Sequence, residues 1–326
     1  MEVRRAPTLL ALLLVGLVTA CGGGEDAAPG GAGQDGVRLG FSQVGTESAW
    51  RLANTRSIEH AATNAGVRLD LRIADGKQEN QAAAIREFIS ADVDVIAFSP
   101  VVETGWDTLL QEARDAGIPV IVTDRMVDTT DTSLFVTMLG SDFTAEGRKA
   151  GEWLVEHYRD RHGRVRIVEI EGTAGSAPAN QRRAGFAEAI KADRDLQVIG
   201  SGDGDFTRAQ GEQVMAGFLA AHTGIDAVFA HNDDEGLGAV EAIEAAGKRP
   251  GTDIKIITVD ASRDGLAALA EGRLNYVVEC NPLLGSQLME LVGKVTTGQT
   301  VPRRVVVDET AFDREAAKAV LHNRQY

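Results

Sequence analysis

The sequence predicts an α/β protein of two doubly wound parallel-sheet lobes. Three observations predict it. From Val37 onward, short apolar runs alternate with longer segments whose apolar residues recur at helical spacing, the pattern of consecutive βα units. Eleven such runs can be counted, more than one parallel sheet comfortably holds. The residue at the carboxyl end of run after run is polar, and open parallel sheets bind ligands beyond those ends.

In chain order, strands are expected over residues 37–42, 67–73, 94–99, 120–123 and 134–138, then over 164–170, 197–201, 227–230, 255–259, 276–279 and 303–307. Each is a short run rich in valine, isoleucine and other apolar residues, as strands buried on both faces require. Helices are expected over 47–65, closed by Gly66, over 78–90, over 103–116, closed by Gly117 with Pro119 beyond, and over 234–246, closed by Gly247. A glycine just past a helix takes the left-handed conformation that caps it. Right-handed crossovers then divide the chain simply, with residues 37 to about 138 in a first lobe and most of the remainder in a second.

Ahead of the first strand stand Arg4-Arg5, an apolar run from Leu9 to Val18, and Thr19-Ala20-Cys21. This is the order of an export signal: charged region, apolar region, small-residue cleavage site. The run is shorter than the ~20 apolar residues of a spanning helix. Residues 1–20 are therefore expected to be removed. Val18-Thr19-Ala20-Cys21 resembles the bacterial lipobox, which implies that Cys21 carries the lipid. Cys280 is then the other cysteine of the chain, so stability is expected from packing rather than from a disulfide. Residues 21–36 are glycine-rich without large apolar side chains and are expected to be a flexible tether.

The formal net charge is −15 over 326 residues, and removing residues 1–20 takes away Glu2, Arg4 and Arg5, a net +1, leaving about −16. Such a chain should seek neither nucleic acid nor anionic lipid. Hydrophobic residues at 44% and charged residues at 25% exclude wholesale disorder.

The polar strand ends are Ser42-Gln43, Ser99, Asp124-Arg125, Asn232-Asp233, Asp260 and Glu279. Taken singly, each equally suits a helix N-cap or a turn; taken together, they place hydrogen-bonding groups of two lobes in one cleft. Asp124-Arg125 stands out, since a carboxylate and a guanidinium leaving a buried run side by side both need partners. Glu47-Ser48-Ala49-Trp50-Arg51 opens the first helix at the cleft mouth, and Phe206 follows the seventh strand. Trp50 also suits the core; otherwise it and Phe206 could sandwich a ligand between the lobes. Acids, amides and arginines beside aromatic faces suit a neutral polyol, and acids balancing bases argue against a phosphate site. No metal and no cofactor is expected.

These residues resemble the periplasmic sugar-binding proteins of ABC importers, of the ribose and galactose type, in their galactofuranose-binding branch. The resemblance spans most of residues 37–326. It is carried by Gly40-Phe41-Ser42-Gln43-Val44-Gly45, Glu47 to Arg51, Ala74-Asp75-Gly76, Gln78-Glu79-Asn80-Gln81, Ser99 to Trp106, Asp124-Arg125, Gly185 to Ile190, Gly204 to Arg208 and His231 to Asp234. It implies a type I periplasmic-binding-protein fold with a three-stranded hinge. The lobes are then residues 37–138 plus 281–305, and 139–280 plus 306–326. It implies that Glu47, Ser48, Trp50, Arg51, Asp124 and Arg125 contact the ligand from one lobe. Arg182, Phe206, Asn232 and Asp260 do so from the other, with Glu279 and Asn281 at the hinge. It also implies a monosaccharide ligand, ABC permease subunits as partners and a monomer; the lipobox at Cys21, a difference from the Gram-negative relatives free in the periplasm, adds a lipid anchor on the outer face of the cytoplasmic membrane.

Three other functions use related parts. A glycoside-acting enzyme could draw on Asp124, Asp260 and Glu279, but the sequence has no Gly-x-Ser-x-Gly elbow, metal-spaced histidine cluster or Walker lysine, and His157 and His162 sit in a charged segment that suits solvent. A sugar-responsive repressor needs a basic helix-turn-helix before the core, and residues 1–36 contain none. A sensor presenting sugar to a receptor kinase is not separable from an importer subunit by sequence.

Overall fold

Two six-stranded sheets organise the computed structural model, which describes residues 36–326. The expected export signal, Cys21 and the expected tether up to Asp35 lie outside the described residues. The first sheet contains β1 (Arg38–Gln43), β2 (Arg68–Ile73), β3 (Val95–Phe98), β4 (Val120–Thr123), β5 (Thr137–Gly140) and β11 (Arg304–Val306), in the order β11-β5-β4-β3-β1-β2, all parallel. The second contains β6 (Val165–Glu171), β7 (Leu196–Asp203), β8 (Ala227–Ala230), β9 (Lys255–Asp260), β10 (Tyr276–Glu279) and β12 (Ala311–Phe312), in the order β12-β10-β9-β8-β6-β7. It is parallel except for β12, which pairs antiparallel with β10 at the edge.

Alternation along each strand sends side chains to both faces. In the first sheet, Leu39, Phe41, Val95, Ala97 and Ile121 pack on α1 (Ala49–Ala65) and α9 (Gly285–Thr296). Their neighbours Ile96, Phe98, Val120 and Val122 pack on α2 (Gln78–Ser90) and α3 (Asp107–Asp115). The second sheet repeats the arrangement. Ile167, Phe229, Ile257 and Val278 face α4 (Phe143–His157) and α5 (Ala177–Ile190). Val168, Val228, Ile256 and Val277 face α6 (Arg208–Ala221), α7 (Asp233–Ala245), α8 (Arg263–Glu271) and α10 (Arg314–Val320). Both sheets reverse direction of growth beside their first strand, between β1 and β3 and between β6 and β8, the switch points at which such folds bind ligands. Among the described residues no helix is long and apolar enough to cross a membrane.

The chain passes between the sheets three times: from β5 to α4, from β10 to α9, and from β11 to β12. The elements differ from expectation in several places. The strand expected at 134–138 starts only at Thr137, because Leu134 closes a 3-10 turn, Thr132–Leu134, and packs with Phe135 in the core beside α3. The first sheet reaches Gly140 and, through β11, Val306, slightly past the expected limits at 138 and 305. The helix expected from 103 starts at Asp107, since Gly105 takes a left-handed φ of 88°. With two residues, β12 is too short to leave a pattern in sequence.

Glycine is required where α4 meets α5. A Cβ on Gly147 would stand 2.0 Å from the Arg182 carbonyl oxygen, and one on Gly185 would stand 2.1 Å from that of Thr144. Backbone cannot yield as a side-chain tip can. Gly147→Ala is expected to destabilise by about 3 kcal/mol, the upper end for an overpacked core, and to lower the urea midpoint without changing the m-value.

Candidate functional site

The facing strand ends of the two lobes line one narrow shared space. The first lobe lines it with Glu47, Ser48, Trp50, Arg51, Asp124 and Arg125, and the second with Arg182, Phe206, Asn232 and Asp260. Phe143, Pro178 and Cys280, which sequence reasoning did not single out, complete the wall. Glu279 is not part of it.

Local folding explains the first-lobe wall. Ser48 is the N-cap of α1, its Oγ accepting from the Arg51 amide at 3.1 Å, and this starts the helix so that Trp50 and Arg51 lie on the first inward turn. Arg51 donates from Nη1 to Asp124 Oδ2 at 2.7 Å and to Gln43 Oε1 at 3.1 Å, and from Nε to Glu47 Oε1 at 3.0 Å. Asp124 Oδ2 also accepts from Ser99 Oγ at 2.9 Å. Asp124 holds a left-handed φ of 58°, as do Phe206 at 57° and, more extremely, Asp260 at 119°. Such strain clusters where a ligand must be met.

The second-lobe wall is built on Arg182. Its Nε donates to Glu146 Oε2 at 2.7 Å and its Nη1 to the His231 carbonyl at 2.6 Å, while Nη2 lies 4.0 Å from Asp260 Oδ1. Asn232 is the N-cap of α7 in a complete capping box with Glu235, and its Nδ2 donates to the Phe206 carbonyl at 3.1 Å. The capping role and the lining role therefore coexist in this residue. Trp50 and Phe206, the two rings expected to sandwich a ligand, both line the cavity. The guanidiniums of Arg125 and Arg182 stand over the Phe206 ring, 5.3 and 5.9 Å from its centre. Trp50 packs with Phe143 in the second-lobe core and donates its Nε1–H to the Cys280 carbonyl at 2.7 Å.

The lobes touch in this structure. The Ala49 amide donates to Asp234 Oδ2 at 2.9 Å, Asn180 Nδ2 donates to Glu103 Oε2 at 2.5 Å, and the Glu103 amide donates to the Gly175 carbonyl at 3.0 Å. The cleft is closed, with Arg125 only 1% and Asp260 3% exposed.

Charge in the enclosure is balanced but not fully partnered. Burial works against the Glu47 carboxylate, yet the guanidiniums of Arg51 and Arg125 outweigh it and hold that group below its ordinary range. Burial likewise opposes the charge of Arg51, which Asp124 and Glu47 overcome. Arg125 is different: burial first, then Arg51 beside it, pushes its guanidinium down to about 10. Its Nη1 reaches the Val101 carbonyl at 3.1 Å, but its Nε is buried without an acceptor. Burial pushes Asp260 well above the usual carboxylate range, with Arg182 only partly opposing. A cationic donor without acceptor and an acid deprived of water face one space.

Beneath the cavity, burial and then Arg182 push His231 down to about 3, so the ring is neutral. Nδ1 accepts from the Gly172 amide at 3.3 Å, which leaves the Nε2–H for Glu169 Oε1 at 3.0 Å.

Glu279 was expected in the site and is not there. Side chains alternate along β10, so Val278 and Cys280 point to the core face that continues into the cavity while Glu279 points away. Its carboxylate accepts from Arg324 Nη1 at 2.8 Å, from the Tyr326 hydroxyl at 3.1 Å and from the Thr310 amide at 3.2 Å. Asn281 forms a turn, its Oδ1 accepting from the Leu283 amide at 2.9 Å. One cluster of possible metal donors occurs among the described residues, Glu146, Cys280 and Glu309, with one atom of each within 4.8 Å of the others. Arg182 already donates to Glu146 Oε2, and Ser141 and the Asn281 amide to Glu309 Oε1.

Residues 39–300 match the model of the periplasmic binding protein domain. The galactofuranose-binding protein YtfQ of Escherichia coli is 40% identical over 295 residues, covering 89% of this chain and 92% of that protein. A Mycobacterium smegmatis protein solved in complex with β-D-fucofuranose is 58% identical with a TM-score of 0.88, over 89% of this chain and 96% of that one. The binding protein of an arabinose ABC transporter from Shewanella sp. ANA-3, bound to α- and β-L-arabinofuranose, is 40% identical with a TM-score of 0.85, again over 89% and 96%.

Proposed function

The chain belongs to the periplasmic-binding-protein family, and from that premise we propose that it is the substrate-binding lipoprotein of an ABC sugar importer, closing over one monosaccharide in furanose form. The observation that carries this reading is the closed inter-lobe cavity with the buried Arg125 Nε lacking an acceptor. A sugar oxygen would complete that donor, and Asp124 and Asp260 would take sugar hydroxyls. Three arginines against three acids in the wall suit a neutral ligand. The relatives' printed ligands, galactofuranose, fucofuranose and arabinofuranose, share the five-membered ring. The acids are held in place as acceptors by Arg51, Ser99 and Arg182, which suits binding and not turnover. Cys21 would carry the lipid anchor, residues 22–36 the tether, and both lobes of a monomer would meet the permease.

Calorimetric titration of residues 36–326, which form one compact unit, with galactose, fucose, arabinose, ribose, fructose and glucose should show saturable binding, micromolar or tighter, to one or two of them. Methyl galactofuranoside should compete and methyl galactopyranoside should not; the reverse order would overturn the furanose assignment. Ligand that bridges the lobes stabilises the closed form by its differential affinity. X-ray scattering should therefore show a smaller radius of gyration with saturating sugar, and an unchanged radius would contradict closure.

A further inference from the structure

The turn that presents Asp260 to the cavity is gripped from behind by residues 324–326. β9 stops at Asp260 and α8 starts at Arg263, so the chain turns within Ala261 and Ser262. Asp260 and Ala261 take φ of 119° and 60°, where a Cβ is unfavourable and glycine is usual. The Asp260 carboxylate has no hydrogen bond to another of the described residues and stands 4.0 Å from Arg182 Nη2. Its aim is therefore set by its backbone.

One peptide of that turn is held at both ends. Its N–H, on Ser262, donates to Asp233 Oδ2 of α7 at 2.7 Å, and its C=O, on Ala261, accepts from Arg324 Nε at 2.6 Å. Beside it the Arg263 amide donates to the Tyr326 carbonyl at 2.6 Å. Arg324 is itself fixed. Its Nη1 donates to Glu279 Oε1 at 2.8 Å, and its guanidinium lies over the rings of Tyr326 and Phe312, 4.0 and 5.5 Å from their centres. Glu279 also accepts from the Thr310 amide at 3.2 Å, so the grip is anchored on β10 and on the third crossing between the lobes. A left-handed alanine persists only where its surroundings over-determine it. We propose that Arg324, which does not line the cavity, is a positioning residue for the sugar site: it holds Ala261 in the left-handed conformation and so aims Asp260 at the ligand. The proposal rests on the reading of the cleft as a sugar site. Glu279 then serves that site from outside it, as the anchor of Arg324.

The test has two arms, both on the full chain. The first needs no sugar: hydrogen exchange at residues 261–263 in wild type and Arg324→Ala. Loss of one charge-assisted hydrogen bond should speed exchange at this turn roughly 10-fold; unchanged exchange there overturns the grip. The second arm measures affinity for whichever of galactose, fucose, arabinose, ribose, fructose and glucose the wild type binds. Arg324→Ala should weaken it roughly 3- to 30-fold, the range for residues that act through another. Ala261→Gly, added to Arg324→Ala, should restore most of that loss, because glycine takes a left-handed φ at no steric cost. In the wild-type background the same glycine should change affinity by less than about 2-fold. A merely stabilising Arg324 would not be answered by a change at residue 261. Wild-type affinity in Arg324→Ala overturns the positioning role, as does a glycine that gains nothing or gains equally in both backgrounds. Where Arg324→Ala does not fold, Arg324→Lys carries the same test, since an ammonium can keep the pair with Glu279 but not also a directed Nε–H to the Ala261 carbonyl. If wild type binds none of the six sugars, the reading of the cleft fails, and the exchange arm still decides the grip.

Discussion

Arg125→Ala should remove tight sugar binding while leaving the fold at least as stable as before. The side chain is 1% exposed, yet Nε has no acceptor and the group is pushed down to about 10 by burial and by Arg51. A buried cation whose proton is held less firmly than in water is a net liability to the empty fold. Its removal does not orphan its neighbours, because Arg51 still binds Asp124 and Glu47 at 2.7 and 3.0 Å. The ligand loses a charge-assisted hydrogen bond, worth about 1.5–3 kcal/mol, and part of the stacking that fixes Phe206 on the far side. Affinity should fall at least ~10-fold and up to ~150-fold. Arg125→Lys should not restore it, since an ammonium cannot present a directed Nε–H while also reaching the Val101 carbonyl. Titration calorimetry and urea unfolding on the same samples give both halves of the result; retained affinity in Arg125→Ala would remove the observation on which the functional reading stands.

Much of this wall was legible because it lies at strand ends. Asp124, Arg125, Asn232 and Asp260 each stand at the end of a mainly apolar run, and the parallel arrangement turns that position in sequence into a position in the cleft. Glu279 shows where the rule fails. Being polar at the end of a run does not say which face of the strand a residue occupies, and the neighbouring Cys280 holds the inward position. Glu146 was invisible for a different reason. It lies in the first turn of α4 beside Ala145, Gly147 and Arg148, where an acid ordinarily complements the helix dipole. Only the approach of α5 through Gly147 and Gly185 brings Arg182 onto it. The 3-10 turn at Thr132–Leu134 overlaps the expected strand at Leu134, an apolar residue that core packing, rather than alternation, claims. What sequence withholds here is the facing partner, which belongs to tertiary contact.

The opposite outcome is expected for the other buried arginine of the cavity. Arg182→Ala should lose sugar binding and stability together. Arg182 is 3% exposed, as Arg125 nearly is, but every nitrogen faces an acceptor: Glu146, the His231 carbonyl, and Asp260 across 4.0 Å. Burial opposes its charge and Glu146 outweighs that burial, so the guanidinium is held more firmly than in water. Deleting it strands the Glu146 carboxylate, itself 1% exposed, with Glu309 beside it. Breaking a buried pair by removing one partner costs about 3–5 kcal/mol, enough to halve the stability of an ordinary domain. Urea midpoints of wild type and Arg182→Ala at pH 7.5 measure the deficit. A variant as stable as wild type would mean that the ion pair with Glu146 is not what holds the second-lobe wall in place.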